Sequence, residues 1–390
     1  MQAIDFNRIL QLPTDYSAIL LGPRGVGKST LLKKQFAAGA GIWINLLLAA
    51  EEERYLRNPD SLLAEVAALP ADLPYVVIDE IQKVPKLLDI VHQLIESTNK
   101  VFILSGSSAR KLKKGASNLL AGRAFIFNLA AFTFEELQDS FDLQTALTWG
   151  MLPSIYQFRT DLQRTQYLKT YAHTYLKEEV WAEQFIRQLS PFRYFLEVVA
   201  QCNGKIINFS KIARDVGIDY KTVENYYSIL EDTLLGFFLP AYDGSLRKQI
   251  SKASKFYLFD TGVSRALARM LSVPVRERTA YYGELFEQFI ICEIKKYINY
   301  YHDEYRLTYL CTKNDTEIDL IVQRPAQETL LIEIKSSSDV QPDQLKALTN
   351  LKDEIPNSIA LCISNDKNKK RYGEIKVWPW REAILHYFKN

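Results

Sequence analysis

Eight residues near the amino end constrain this chain more than any others. Gly22-Pro23-Arg24-Gly25-Val26-Gly27-Lys28-Ser29 matches G-x-x-x-x-G-K-[S/T] and is followed by Thr30. Residues 17–21 (SAILL) read as a strand, and residues 28 to about 36 read as a helix. In that order, strand, glycine turn and helix let successive backbone N–H groups curl around a phosphate at the helix N-terminus. The expected nucleotide contacts are therefore Gly22, Pro23, Arg24, Gly25, Val26, Gly27, Lys28, Ser29 and Thr30. Lys28 would reach the β- and γ-phosphates, and the Ser29 hydroxyl would hold Mg²⁺. An ordinary glycine turn is the competing reading, and the flanking strand and helix weigh against it.

A second segment fits the same chemistry. Tyr75-Val-Val-Ile-Asp79-Glu80 is an apolar strand ending in two acids, fifty-one residues after Lys28. At the carboxyl end of a parallel strand, Asp79 is placed for the Mg²⁺ shell and Glu80 for polarising an attacking water. The pair predicts hydrolysis of ATP rather than binding alone. Residues 100–105 form a further strand ending in Ser105-Gly106-Ser107-Ser108, where Ser105 or Ser107 would sense the γ-phosphate. Arg123 is the candidate arginine finger, with Arg110 the alternative and a plain surface arginine the competing reading.

The first 150 residues alternate apolar runs with helical patterns, as a parallel α/β sheet does. Strands are expected at 17–21, 41–46, 75–79 and 100–105, with a helix over 86–96 whose Leu87, Leu88, Val91, Leu94 and Ile95 share one face. With 390 residues and 47% apolar side chains, two or three domains with real cores are expected. Forty-eight basic against forty-six acidic residues give +2, which excludes a polybasic binder but not a local nucleic-acid surface. The small basic excess falls between residues 151 and 275. Cys202, Cys292, Cys311 and Cys362 stand far apart, so neither a disulfide frame nor a zinc site is expected. The amino end lacks a secretory pattern, and the apolar runs at 46–50 and 234–240 fall far short of the ~20 residues of a membrane span. A soluble cytoplasmic protein is the expectation.

Residues 209–231 have the arrangement of a helix-turn-helix. Ile212, Ala213 and Val216 pack inward, Gly217 turns the chain, and Val223, Tyr226, Tyr227 and Leu230 face the core. The run 234–242 would start a wing. Lys221, Asn225, Arg247, Lys248, Lys252 and Lys255 would then touch DNA phosphates. A winged helix used only for domain packing is the alternative, because Asp219, Glu224 and Glu231 dilute the charge of the second helix. Further on, a helix at 283–300 precedes strands at 307–311, 317–322 and 330–335. Asp319, Glu333 and Lys335 lie on the last two strands, with Glu287 on the helix. Two acids beside a lysine suit a nuclease-like metal site, and a buried ion-pair network would give the same pattern.

Taken together, GPRGVGKST (22–30), VVIDEIQKVP (76–85), LSGSSA (104–109), LAGRA (120–124), FTFEEL (132–137), GELFEQFI (283–290), EIDLIV (317–322) and LIEIKSS (331–337) resemble a bacterial and archaeal family of AAA+ ATPases. Its members join a P-loop domain to a winged helix and a restriction-endonuclease-like region, domain of unknown function 4143. The resemblance implies an α/β AAA+ P-loop parallel-sheet domain (1–132), a helical lid or connector (133–190), a winged-helix-like domain (191–275) and a restriction-endonuclease-like α+β domain (276–390). It also implies ATP, Mg²⁺ and assembly into homo-oligomeric rings, and it maps the family's Gly-Arg element onto Gly122-Arg123. The family usually has a proline before the Ser/Thr-Phe-Glu element, where this chain has Ala130-Ala131. The expected function is an oligomeric, Mg²⁺-dependent ATPase acting on branched or replicating DNA. The alternatives are an ATP-dependent nuclease of a defence or mobile-element system, or an ATP-driven switch that binds protein partners.

Overall fold

The computed structural model describes residues 7–37, 40–107, 120, 122–175, 189–242, 253–312 and 316–389. It divides into two compact units. The first comprises residues 1–132, 152–157 and 228–235, and the second comprises the remainder.

The first unit is built on a five-stranded sheet of order β2-β3-β4-β1-β5, in which every neighbouring pair is parallel. Its strands are β1 (Ala18–Leu21), β2 (Ala40–Asn45), β3 (Tyr75–Asp79), β4 (Val101–Gly106) and β5 (Phe125–Asn128). The middle strands are continuous apolar runs, because a parallel sheet is covered on both faces. The helices are α1 (Lys28–Phe36), α2 (Ala49–Arg57), α3 (Ser61–Ala67) and α4 (Leu87–Ser97). α4 lays Leu87, Leu88, Val91 and Leu94 into the same core as Ile19, Leu21, Ile78 and Leu104, on the face its spacing predicts. β5 was not expected from the sequence: it is a four-residue edge strand that leaves Phe125 and Ile126 exposed, so it carries no buried-strand pattern.

In the second unit, α5 (Phe134–Leu137), α6 (Leu143–Trp149), α7 (Asp161–Thr170), α8 (Leu189–Gln201), α9 (Phe209–Val216) and α10 (Tyr220–Asp232, whose last turn counts with the first unit) precede a two-stranded antiparallel ribbon. The ribbon pairs β6 (Gly236–Leu239) with β7 (Lys255–Leu258). Asn208 caps α9, and Gly217 ends it in the left-handed region at φ 75°, as a helix-turn-helix requires. Phe192, Phe195, Tyr226 and Tyr227 fill the core of this helical module.

After α11 (Thr261–Leu267) and the long α12 (Ala280–Tyr301) comes a six-stranded mixed sheet of order β12-β13-β11-β10-β9-β8. β8 (Arg306–Cys311), β9 (Glu317–Gln323) and β10 (Thr329–Lys335) form an antiparallel meander. β11 (Ser358–Ser364) runs parallel to β10 and to β13 (Ile375–Pro379), and the short β12 (Lys370–Tyr372) closes the edge. The connector between β10 and β11 carries α13 (Lys346–Leu351), and α14 (Trp380–Phe388) ends the described chain. None of the four cysteines forms a disulfide. Among the described residues, no helix is long and apolar enough to cross a membrane.

Candidate functional site

β1 delivers the phosphate loop from inside the first sheet, where it lies between β4 and the edge strand β5. Only glycine fits where the loop leaves the strand: a Cβ on Gly22 would lie 2.3 Å from the carbonyl oxygen of Leu129. Gly25 and Gly27 adopt φ of 81° and 96°, the left-handed region that an L side chain resists. The loop wraps its own lysine, for the Lys28 ammonium donates to the carbonyls of Gly22 (2.8 Å) and Pro23 (3.3 Å). Val26 is buried, whereas Gly25 and Thr30 are exposed. Arg8 braces the loop from outside. Its guanidinium donates to the carbonyls of Val26 (2.8 Å) and Ala130 (2.7 Å) and lies over the Phe132 ring, 4.9 Å from its centroid.

The acids expected from β3 meet the loop. Ser29 donates to Asp79 Oδ2 at 2.6 Å, and Ser105, at the end of β4, donates to Asp79 Oδ1. Ser105 also accepts from the Glu80 backbone N–H at 3.2 Å. Glu80 sits at φ 62°, a left-handed conformation that is strained for a side chain with a Cβ. Its carboxylate accepts from Gln82 Nε2, which also donates to Ser107 Oγ at 3.1 Å. Gln82 Oε1 is buried without a hydrogen-bond partner. Ser105 and Ser107 thus have different roles, one tied to Asp79 and the other to the side chain that holds Glu80. Arg8 carries no signal in the sequence, and Gln82, although it lies in the VVIDEIQKVP segment, shows there no sign that its amide joins Glu80 to Ser107.

Arg123 precedes β5, whose first residue is in register with the start of β1, the edge of the sheet opposite the phosphate loop. There it pairs with Glu96 on α4 and holds that carboxyl below the usual range. Arg110 lies outside the described residues.

Of the expected DNA contacts, Lys221 and Asn225 are exposed on α10. Arg247, Lys248 and Lys252 lie outside the described residues. Lys255 departs from the expectation. It is 3% exposed, and its ammonium pairs with Glu317 and lies 3.7 Å from Glu287 Oε1, so it does not face solvent.

Glu287, Asp319, Glu333 and Lys335 do come together. α12 supplies Glu287, and adjacent antiparallel strands supply the others. The Ile334 N–H donates to Asp319 Oδ2 at 2.7 Å, and Lys335 pairs with Glu333 at 2.5 Å. Burial first, and then the neighbouring Glu287 and Glu333 carboxylates, push the Asp319 carboxyl well above its ordinary range. Glu333 Oε2 is buried without a partner. The sequence did not reveal Lys255, Glu317 and Tyr257 as members of this cluster. Among the described residues, no group of three or more His, Cys, Asp or Glu side chains is gathered so as to hold a metal ion.

Three family models match in series. Residues 14–138 match an AAA domain, residues 140–273 match a domain of unknown function (DUF8612), and residues 282–383 match a domain of unknown function (DUF4143). An uncharacterized protein of Mycobacterium tuberculosis is 25% identical over 78% of this chain and 67% of its own length. One from Methanocaldococcus jannaschii is 24% identical over 94% of this chain and 84% of its own. Among solved structures, the Aeropyrum pernix ORC2 protein superposes with a TM-score of 0.37 at 13% identity, covering 66% of this chain and 87% of that one. That superposition is too loose to carry an argument. The chain is thus similar to an AAA domain in its amino-terminal third and to DUF4143 in its carboxyl-terminal part.

Proposed function

We propose that the protein is an AAA+ ATPase that hydrolyses ATP with Mg²⁺ and works as an oligomer on DNA. One observation carries the hydrolytic part: the hydroxyl of Ser29, in the first turn of α1, and the carboxylate of Asp79, at the end of β3, stand 2.6 Å apart beside the curled loop. One hydroxyl and one carboxylate that close fit a shared Mg²⁺. Bound there with the nucleotide, the ion would neutralise charge on the β- and γ-phosphates. The chain's own residues do the rest. Backbone N–H groups from Gly22 to Thr30 cradle the phosphates, and the Lys28 ammonium exchanges carbonyl partners for phosphate oxygens. Glu80, held by Gln82, orients the attacking water and accepts its proton. Ser107, which accepts from the same Gln82 amide, would report the γ-phosphate.

Arg123 faces away from its own loop, which suits a finger offered to a neighbouring subunit once its pairing with Glu96 is exchanged. DNA contact rests on the helix-turn-helix of α9 and α10, whose Lys221 and Asn225 are exposed. Ring assembly would multiply contacts that a monomer of net charge +2 makes weakly.

ATP turnover with and without branched duplex DNA, at moderate salt, tests the reading. DNA should bind and stimulate turnover, and Glu80→Gln should retain ATP while losing hydrolysis. Protein that neither retains nor cleaves ATP with Mg²⁺ would overturn the whole proposal. Fast turnover indifferent to DNA would remove its DNA half, and slow, DNA-insensitive turnover would favour a switch acting on protein partners. The gathering of Glu287, Asp319, Glu333 and Lys335 favours a second reading, an ATP-dependent nuclease. It requires Mg²⁺- or Mn²⁺-dependent DNA cutting that Asp319→Ala abolishes.

A further inference from the structure

Glu287 on α12 and Glu317, Asp319 and Glu333 on the second sheet gather negative charge, yet as they stand they offer no metal a set of three ligands. A cation is nonetheless present. β7 alternates its side chains, so Lys255 and Tyr257 leave the same face of the strand, and both point at the cluster. Lys255 pairs with Glu317 and approaches Glu287, while the Tyr257 hydroxyl donates to Glu287 Oε1 at 2.6 Å. Tyr257 can lie flat there because Gly204 packs on its ring, where a Cβ would come within 3.0 Å. Burial alone would lower the Lys255 pKa, but Glu287 and Glu317 outweigh it and keep the ammonium charged.

We propose that Lys255 is the resident cation of this cluster: a strand-borne ammonium that closes the carboxylates of the DUF4143 sheet, so that a divalent ion enters only in exchange for it. The inference does not depend on the ATPase reading. Four acids (Glu287, Glu317, Asp319 and Glu333) meet two ammonium groups (Lys255 and Lys335), which leaves an excess of negative charge. The excess shows at Glu333 Oε2, which is buried and has no hydrogen-bond partner. A divalent ion would satisfy it, but it would stand beside an ammonium already paired with Glu317 and 3.7 Å from Glu287, and like charges at that range repel strongly in a buried site. Whatever displaces Lys255 therefore removes the block. Lys255 lies on β7, which makes the ribbon a plug for the carboxylates of the neighbouring sheet.

Mn²⁺ binding to the full chain, read by electron paramagnetic resonance in a Ser29→Ala background, tests this. Lys255→Met keeps the apolar stem and drops the charge. It should bind one Mn²⁺ about tenfold or more tighter than its parent, and adding Asp319→Asn should remove the gain. Equal affinity in parent and Lys255→Met would overturn the proposal, as would a gain that survives Asp319→Asn. Lys255→Gln, a second neutral variant, decides the matter if Lys255→Met fails to fold. Removing the charge should again raise Mn²⁺ affinity about tenfold, whereas unchanged affinity would overturn the assignment.

Discussion

Asp79 accepts from two serines, Ser29 and Ser105, that lie fifty and twenty-six residues from it in the chain. That convergence makes the strand-end acid part of a site rather than a solvated turn. At this scale the phosphate loop has least tolerance at Gly22. Gly22→Ala would drive a methyl group into the Leu129 carbonyl, and binding of a fluorescent ATP analogue should be lost even if the protein stays folded. Gln82 makes a subtler prediction. Gln82→Ala leaves the loop intact but frees the Glu80 carboxylate, so kcat should fall by roughly 10²-fold while nucleotide affinity changes little. An equal rise in KM instead would show that Gln82 serves the loop. The sequence exposed Lys28, Ser29, Asp79 and Glu80 because each belongs to a contiguous motif. It hid the roles of Gln82 and Arg8 because Ser107 and the Val26 and Ala130 carbonyls are brought to them only by the fold.

At the scale of elements, helix ends and short connections hold the second unit's geometry. Asp260 caps α11 through the Val263 N–H (3.0 Å) and also accepts from the Met151 N–H (2.6 Å). Gly150 is glycine because any Cβ would strike the Asp260 carboxylate. Asp260→Ala should cost about 2–3 kcal/mol, since it removes a cap and leaves a second buried donor without an acceptor; urea unfolding checks this. Burial pushes the Asp260 carboxyl above its ordinary range, although the backbone donors of Met151 and Val263 pull against the shift. The folded state therefore holds this proton more tightly than the unfolded chain does. Its contribution to stability is complete below the unfolded carboxylate pKa, about 3.9, and is lost as pH rises through the raised folded value. Asp260→Asn, which cannot titrate, should flatten that decline in melts taken across the acid range. Equal slopes would place the proton elsewhere.

The strands read from sequence were those with long apolar runs, among them β1, β3, β4, β9 and β10. β5 escaped because its side chains face outward, and β11 to β13 were not read at all, although β11 is as buried as β10.

At the scale of the whole molecule, segments similar to an AAA domain, to DUF8612 and to DUF4143 follow one another along the chain. If the loop binds ATP as proposed, ligand at a hundred times its dissociation constant should stabilise the first unit by about 2.7 kcal/mol. Calorimetry with and without Mg·ATP measures that shift, and Lys28→Ala should abolish it without lowering the melting temperature of the unliganded protein by a comparable amount. The sequence by itself determined the phosphate loop, since its function resides in eight covalently successive residues whose glycines dictate the backbone path. It also determined that acids and a lysine would share the last strands. Only the tertiary structure decided what those acids face. Lys255, read from sequence as a solvent-facing phosphate contact, is folded inward onto Glu287 and Glu317. A lone lysine carries no local pattern that says which way it points. Its direction is set by the pairing of β7 with β6 and by carboxylates thirty-two and sixty-two residues further along the chain, on a helix and on a strand, and a buried ammonium persists only where such distant carboxylates meet it.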